Sequence, residues 1–179
     1  MAATALIVYY SRTGHTAALA GRLGEALDAQ VERLEPLPRR PRSRFAPRAG
    51  WFSRVWARVE TWTGRARAIR PVRFSPADYA VVLIGCPVWA GRVPPPVRQW
   101  ICDHRDDLPP HVGFFASCTD DRAETMYSDL ARRCNRPPLA TMTVPQRWHG
   151  TENEDNLLVR FAMRLAPALA RRSAAAVHV

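Results

Sequence analysis

Apolar and polar positions along this 179-residue chain fall into blocks of two alternating periods. Residues 4–10, "TALIVYY", form a continuous apolar, β-branched and aromatic run, the pattern of a strand buried on both faces. Residues 15–28 then repeat Ala, Leu and Gly at helical spacing, which places Leu19, Leu23, Ala26 and Leu27 on one face. "QVERLE" at 30–35 alternates as a short strand. "YAVVLIG" at 79–85 and "VGFFAS" at 112–117 predict two more doubly buried strands, and "LATMTV" at 139–144 reads as the last strand. Between them, "PPPVRQWICDH" at 94–104 reads as a helix opened by prolines, which a first turn tolerates, and 121–134 as another. "NEDNLLVRFAMRLAPALARR" closes as a helix that Pro167 kinks or ends.

The order βαβ, insertion, βαβαβα predicts an α/β domain with a parallel sheet covered on both sides. Right-handed crossovers leave few topologies for five such strands, and one is the doubly wound order 2-1-3-4-5. In that order the chain runs to opposite sides from strands 1 and 3, and ligands bind outside the carboxyl ends at that switch point. The loops "SRTGHT", "CPVWAGRV" and "SCTDDR", after strands 1, 3 and 4, would then open onto one crevice.

Hydrophobic residues make up 47% of the chain, which suits one globular domain, and no apolar run reaches the length of a membrane span. "MAATALIVYY" carries neither a basic n-region nor a cleavage site, so no signal peptide is expected. Cys86, Cys102, Cys118 and Cys134 form no C-x-x-C pair, so zinc and thioredoxin chemistry are not expected, and four thiols suit a reducing cytoplasm.

All 26 basic residues are Arg. Residues 36–74 hold 11 of them and one acid, Glu60, so the whole net charge of +10 belongs to that insertion. "GWFSRVWARVETWTGRAR" within it predicts a helix with Trp51, Phe52, Val55, Trp56, Val59 and Trp62 along one side. Such a helix packs on the sheet, lies on an anionic membrane through residues 50–67, or docks an acidic protein. Nucleic acid has nothing beyond charge in its favour.

"YYSRTGHTAALA" at 9–20 joins the first strand to the first helix and concentrates Ser11, Thr13, Gly14 and Thr16 there. A helix N-terminus exposes unpaired N–H groups and partial positive charge, the hydroxyls add donors, and Gly14 lets the backbone curl close. The result is an anion cradle suited to phosphate, or a helix start with more caps than it needs. Neither the Walker A nor the G-x-G-x-x-G pattern is present. In "GCPVWAGRVPPP", Trp89 stands where it can cover a flat ring or pack in the core, and Ala90-Gly91 offers backbone to a ligand edge.

Together, "YYSRTGHT" and "YAVVLIGCPVWAGRVPPPVRQWI" resemble the flavodoxin family, from strand 1 through the helix after strand 3 and more weakly to about residue 145. The resemblance implies a flavodoxin-like fold, a single domain over 1–179, and FMN as cofactor. It implies a 5′-phosphate on Ser11, Arg12, Thr13, Gly14, His15 and Thr16. The isoalloxazine would lie between Pro87, Val88, Trp89, Ala90 and Gly91 on one side and Ser117, Cys118, Thr119 and Asp120 on the other. The implied function is an oxidoreductase passing electrons from NAD(P)H or a donor protein to a small acceptor such as a quinone, or a non-enzymatic carrier. A flavin-free binding module is the third reading. The chain departs from the family in its basic charge, in a third loop, "SCTDDRAETMY", without the glycine-rich form, and in the long insertion. Tyr127 lies late for a ring-stacking partner. Cys86 and Cys118 face the flavin rim or pack, and Asp120 and Asp121 cap the next helix or face the site. His149 in "QRWHGTEN" is a proton donor or a solvated loop residue. No nucleophile–base pair and no metal site stand out.

Overall fold

Strands that are apolar on both faces need two covering layers, and the computed structural model, which describes residues 4–38, 68–118 and 122–175, supplies them. The elements are β1 (Ala5–Tyr9), α1 (His15–Leu27), β2 (Gln30–Arg33), β3 (Val81–Pro87), α2 (Pro95–His104), β4 (His111–Cys118), α3 (Ala123–Cys134), β5 (Pro138–Pro145) and α4 (Glu152–Ala175). The sheet has five parallel strands in the order β2-β1-β3-β4-β5, the doubly wound arrangement expected from the pattern. Thr119, Asp120 and Asp121, and most of the insertion including the Trp-rich stretch at 50–67, lie outside the described residues.

β1, β3 and β4 each divide their side chains between two cores. Leu6, Val8, Val82, Ile84 and Phe114 pack with Val97, Trp100 and Ile101 of α2 and Met126 and Leu130 of α3. Ile7, Val81, Leu83, Phe115, Met142 and Val144 pack with Leu19 and Leu23 of α1 and Leu158, Phe161 and Leu165 of α4. α1 and α4 therefore share one face of the sheet, and α2 and α3 the other.

Three local expectations are corrected. The buried face of α1 is Thr16, Leu19, Ala20, Leu23 and Gly24, and Ala26 is exposed. β3 starts at Val81, because a 3-10 turn at Pro76–Asp78 holds the Tyr79 N–H on the Pro76 carbonyl, 3.2 Å away. α4 runs on past Pro167 without ending there. The carbonyl that Pro167 leaves without its helical partner belongs to Met163, which is 69% exposed, so water can satisfy it.

The ends of the insertion are fastened beside β2. The Leu37 N–H bonds the Ala68 carbonyl at 2.9 Å, and the Arg70 N–H bonds the Glu35 carbonyl at 2.8 Å, with Pro36 bridged antiparallel to Ile69. Glu32, an acid in an otherwise strand-like alternation, is buried because its carboxylate accepts the Arg73 N–H at 3.0 Å.

The sheet packs most tightly over Gly85. A Cβ on Gly85 would stand 2.1 Å from Cζ of Phe115, whose ring is wholly buried against β3. Gly85→Ala is therefore expected to destabilise the fold by about 1–3 kcal/mol through overpacking. Adding Phe115→Leu should return part of that loss in denaturant unfolding. A Gly85→Ala protein as stable as wild type would contradict the packing.

Candidate functional site

β3 and β4 run on side by side, with Pro87 paired to Ser117, and β1 ends two residues earlier at the same end of the sheet, where Tyr9 is paired with Gly85. The loops that follow therefore leave from one platform, and hydrogen bonds tie them together there. The Ser117 hydroxyl lies 2.8 Å from the Thr16 hydroxyl at the start of α1, and both side chains are buried. The Ser117 carbonyl accepts the Val88 N–H at 3.1 Å, and the Gly85 carbonyl accepts the Tyr10 N–H at 3.0 Å.

The cradle after β1 turns on Gly14, whose φ of 97° favours glycine and whose missing Cβ would meet nothing within 4 Å. The Ser11 hydroxyl accepts the Gly14 N–H at 3.1 Å, which closes the loop on itself. Of the three hydroxyls in this stretch, Ser11 holds the turn, Thr16 is paired with Ser117, and Thr13 is exposed. In the Thr16–Ser117 pair only one hydroxyl proton is used between the two oxygens, so the other remains available to an acceptor. The first turn of α1 contains no acid, which leaves its positive end uncompensated.

In the loop after β3, Val88 is buried in the core and Trp89 is half-buried. Ala90 and Gly91 both take positive φ, 51° and 70°, and the Arg92 N–H returns to the Trp89 carbonyl at 3.0 Å. Two successive left-handed residues make a tight I′-like turn that presents exposed Ala90 outward. Tyr10 meets the Trp89 ring edge-on at 5.7 Å between centroids, and the Arg12 guanidinium lies over that ring at 5.9 Å. The structure thus brings Ser11–Thr16, Pro87–Gly91 and Ser117–Cys118 to one end of the sheet.

Other sequence candidates take structural places. Cys86 is fully buried with its Sγ 3.5 Å from the Met126 sulfur, and burial pushes its thiol up, so it stays protonated as a packing group. Tyr127 is no ring-stacking partner. It lies in the core against Phe114, and its hydroxyl donates to the Met142 carbonyl at 2.6 Å. Burial raises its phenol, with the Thr143 hydrogen bond opposing.

His149 is tied into the fold. Its ring stacks on His15 at 4.7 Å and 19°, and its Nδ1 lies 3.2 Å from Glu154 Oε2. Glu154, only 2% exposed, also accepts the Gly150 N–H at 2.7 Å and Arg22 at 2.6 Å, while Arg22 pairs in addition with Asp155. These side chains line an open groove of about 490 Å³ beside Thr13 and Gly14. Glu154 and Arg22 escaped the sequence reading, although Thr151-x-x-Glu154 has the spacing of a capping box. Its carboxylate reaches one residue further back than that motif, to Gly150.

No family model matches the chain, and no curated protein sequence does. The chain is similar in fold to a flavoprotein of Lactobacillus acidophilus NCFM solved in complex with FMN, with a TM-score of 0.67, 16% identity, and 90% of this chain and 99% of that one covered. It is similar to the apo form of the flavoprotein from that organism at TM-score 0.59 and 16% identity, over 84% and 97% of the two chains. A WrbA-like flavodoxin of Agrobacterium tumefaciens superposes with TM-score 0.57 and 10% identity, over 95% and 99%. The fold is flavodoxin-like.

The Glu154 cluster predicts a stability effect. Glu154→Gln keeps the shape but removes the charge that holds Gly150, His149 and Arg22. With Arg22 itself 40% exposed, solvent screening limits the loss to about 1–2 kcal/mol. Thermal unfolding should show a lowered Tm. An unchanged Tm would mean that the cluster does not hold α1 to α4.

Proposed function

We propose that this flavodoxin-like chain binds FMN at the carboxyl ends of β1, β3 and β4 and works as a redox protein. In this reading it is an oxidoreductase that passes electrons from a reduced nicotinamide or a donor protein to a small acceptor such as a quinone. The observation that carries the reading is the acid-free N-terminus of α1 facing the Trp89 turn at the same end of the sheet, across the β1–β3 switch point. The residues fit the group. Gly14 leaves open space at its Cβ position, Thr13 is exposed beside it, and the Thr16–Ser117 pair keeps a proton to donate.

FMN, when bound, supplies the electron-transfer chemistry. The protein's part is to bind, orient and shield. Thr13, Thr16 and the N–H groups of the first helical turn hold the phosphate, where charge-assisted hydrogen bonds are strongest. Trp89 covers the ring, and the Ala90-Gly91 turn offers its backbone to the ring edge. Ser117 and Cys118, with Thr119 and Asp120, bound the other side.

A carrier reading is favoured by one observation: His149, which the sequence left open as a proton donor or a solvated loop residue, is committed to His15 and Glu154. Turnover of NAD(P)H with a quinone separates the two, since a carrier shows little. A flavin-free module would bind neither flavin.

Purified or reconstituted protein is expected to show flavin absorbance and to release FMN, not FAD. No saturable binding at micromolar FMN sinks the proposal. Thr13→Ala with Thr16→Ala removes two donors, each worth on the order of 1.5–3 kcal/mol to a charged acceptor. FMN should weaken at least about tenfold while riboflavin is little affected, and equal losses for both would count against the cradle.

The basic segment supplies the docking element in this reading, at an acidic protein surface or at the inner face of a membrane, with the protein otherwise cytoplasmic. The membrane arm predicts sedimentation with anionic liposomes at low salt, weakened at high salt and lost when Arg54, Arg58, Arg65 and Arg67 become Gln. A wild type that ignores anionic liposomes at low salt leaves the protein-docking arm. Among the described residues no helix is long and apolar enough to cross a membrane.

A further inference from the structure

Arg12 belongs to both halves of the crevice. Its backbone lies in the phosphate cradle, between the turn-holding Ser11 and the exposed Thr13. Its guanidinium lies in the ring-binding half, 5.9 Å from the centroid of Trp89. Arg12 is exposed and makes no ion pair among the described residues, so the indole face is the contact that holds it. Tyr10 takes the same ring edge-on and fixes the indole in place.

Two attractions compete for this one cation. An exposed guanidinium over a half-buried indole gains only about two- to fivefold in population. A phosphate dianion in the adjoining cradle offers charge-assisted, fork-shaped hydrogen bonds, which are stronger. A flat ring seeking the covered face of Trp89 competes with the guanidinium for the same surface. Binding a dianion and opening that face are therefore coupled through a single side chain.

We propose that Arg12 makes ring stacking depend on phosphate binding. The guanidinium rests on Trp89 until phosphate in the cradle draws it off, and the freed indole face then receives the ring. Arg12 is thus a specificity-determining residue that favours a phosphorylated flavin over an unphosphorylated one. The inference rests on the FMN reading above and names how that site selects its ligand. Riboflavin is disfavoured twice in wild type, once by the missing phosphate bonds and once by the occupied ring face.

The test is a pair of affinities on the full chain. Arg12→Gln should bind riboflavin about two- to fivefold more tightly, because the competitor for Trp89 is gone. The same variant should bind FMN at least about tenfold more weakly, because a cation beside the dianion is lost. Arg12→Lys keeps the charge and should retain the preference for FMN. A second readout needs no flavin: inorganic phosphate added to the flavin-free protein should change indole fluorescence, and Trp89→Phe and Arg12→Gln should each abolish that change. Opposite shifts for the two flavins support the proposal. Losses of both in Arg12→Gln, or no gain in riboflavin affinity, overturn it, as does a wild-type indole signal that ignores phosphate. A wild type that binds neither flavin overturns the FMN reading itself, a different result from a wild type that binds FMN but shows no Arg12 effect.

Discussion

Ser117 ties the three loops of the crevice to one point. Its hydroxyl meets Thr16 at the start of α1, and its carbonyl takes the N–H of Val88 just before Trp89. Because β4 stays paired to β3 out to Ser117 opposite Pro87, a single residue near the end of β4 can reach both the loop after β3 and the start of α1. Ser117 is 3% exposed, so its polar groups must be paired within the fold, and the fold pairs them with the loops that carry the site. Moving β4 by a residue would point its side chains to the opposite core and break both bonds together. The site's geometry and the two-core sheet are one constraint.

The two ends of α1 are handled differently, and the difference bears on function. At its N-terminus the helix is left without a side-chain cap and without acids, so its donors and positive potential face outward. Further along, Arg22 is held by Glu154 and Asp155 on α4, which fixes the helix to the rest of its layer. A cradle of this kind works only if the helix behind it does not yield, since fixed dipoles need no reorganisation when charge arrives. The Trp89 turn stores a modest strain in the same cause: Ala90 holds a φ of 51°, a left-handed value that costs a non-glycine residue on the order of 1 kcal/mol.

The strands were legible because burial on both faces removes the polar half of the alternation, leaving runs such as "ALIVY" and "VVLIG" that few other structures need. The topology followed from the alternation of those runs with helical ones, and the crevice from the topology. Residues whose environment depends on a distant partner were less legible. Ala26 has the spacing of a core position but falls off the buried face of α1, while Leu27 after it still packs against the core. Tyr127 is aromatic and near a loop, yet its hydroxyl finds the Met142 carbonyl and Thr143 on β5 and stays in the core. His149 looked like a free loop residue because Glu154 and His15, which hold it, are brought near only when α4 lies alongside α1. The chain distance between His15 and His149 carries no hint of their stacking.

Charge placement follows from the same parallel order. Outside residues 36–74 the chain is neutral in formal charge, so its long-range field originates in the insertion. That segment leaves and re-enters the described fold through the Pro36–Ile69 bridge, just beyond the carboxyl end of β2. β2 runs parallel to β1, and its carboxyl end therefore lies at the end of the sheet that carries the crevice. Bonds from Glu32, Glu35 and Leu37 to the returning chain thus fasten both ends of the basic segment at that end of the sheet, and they do so with one buried carboxylate and two backbone carbonyl bonds in place of a longer strand ladder.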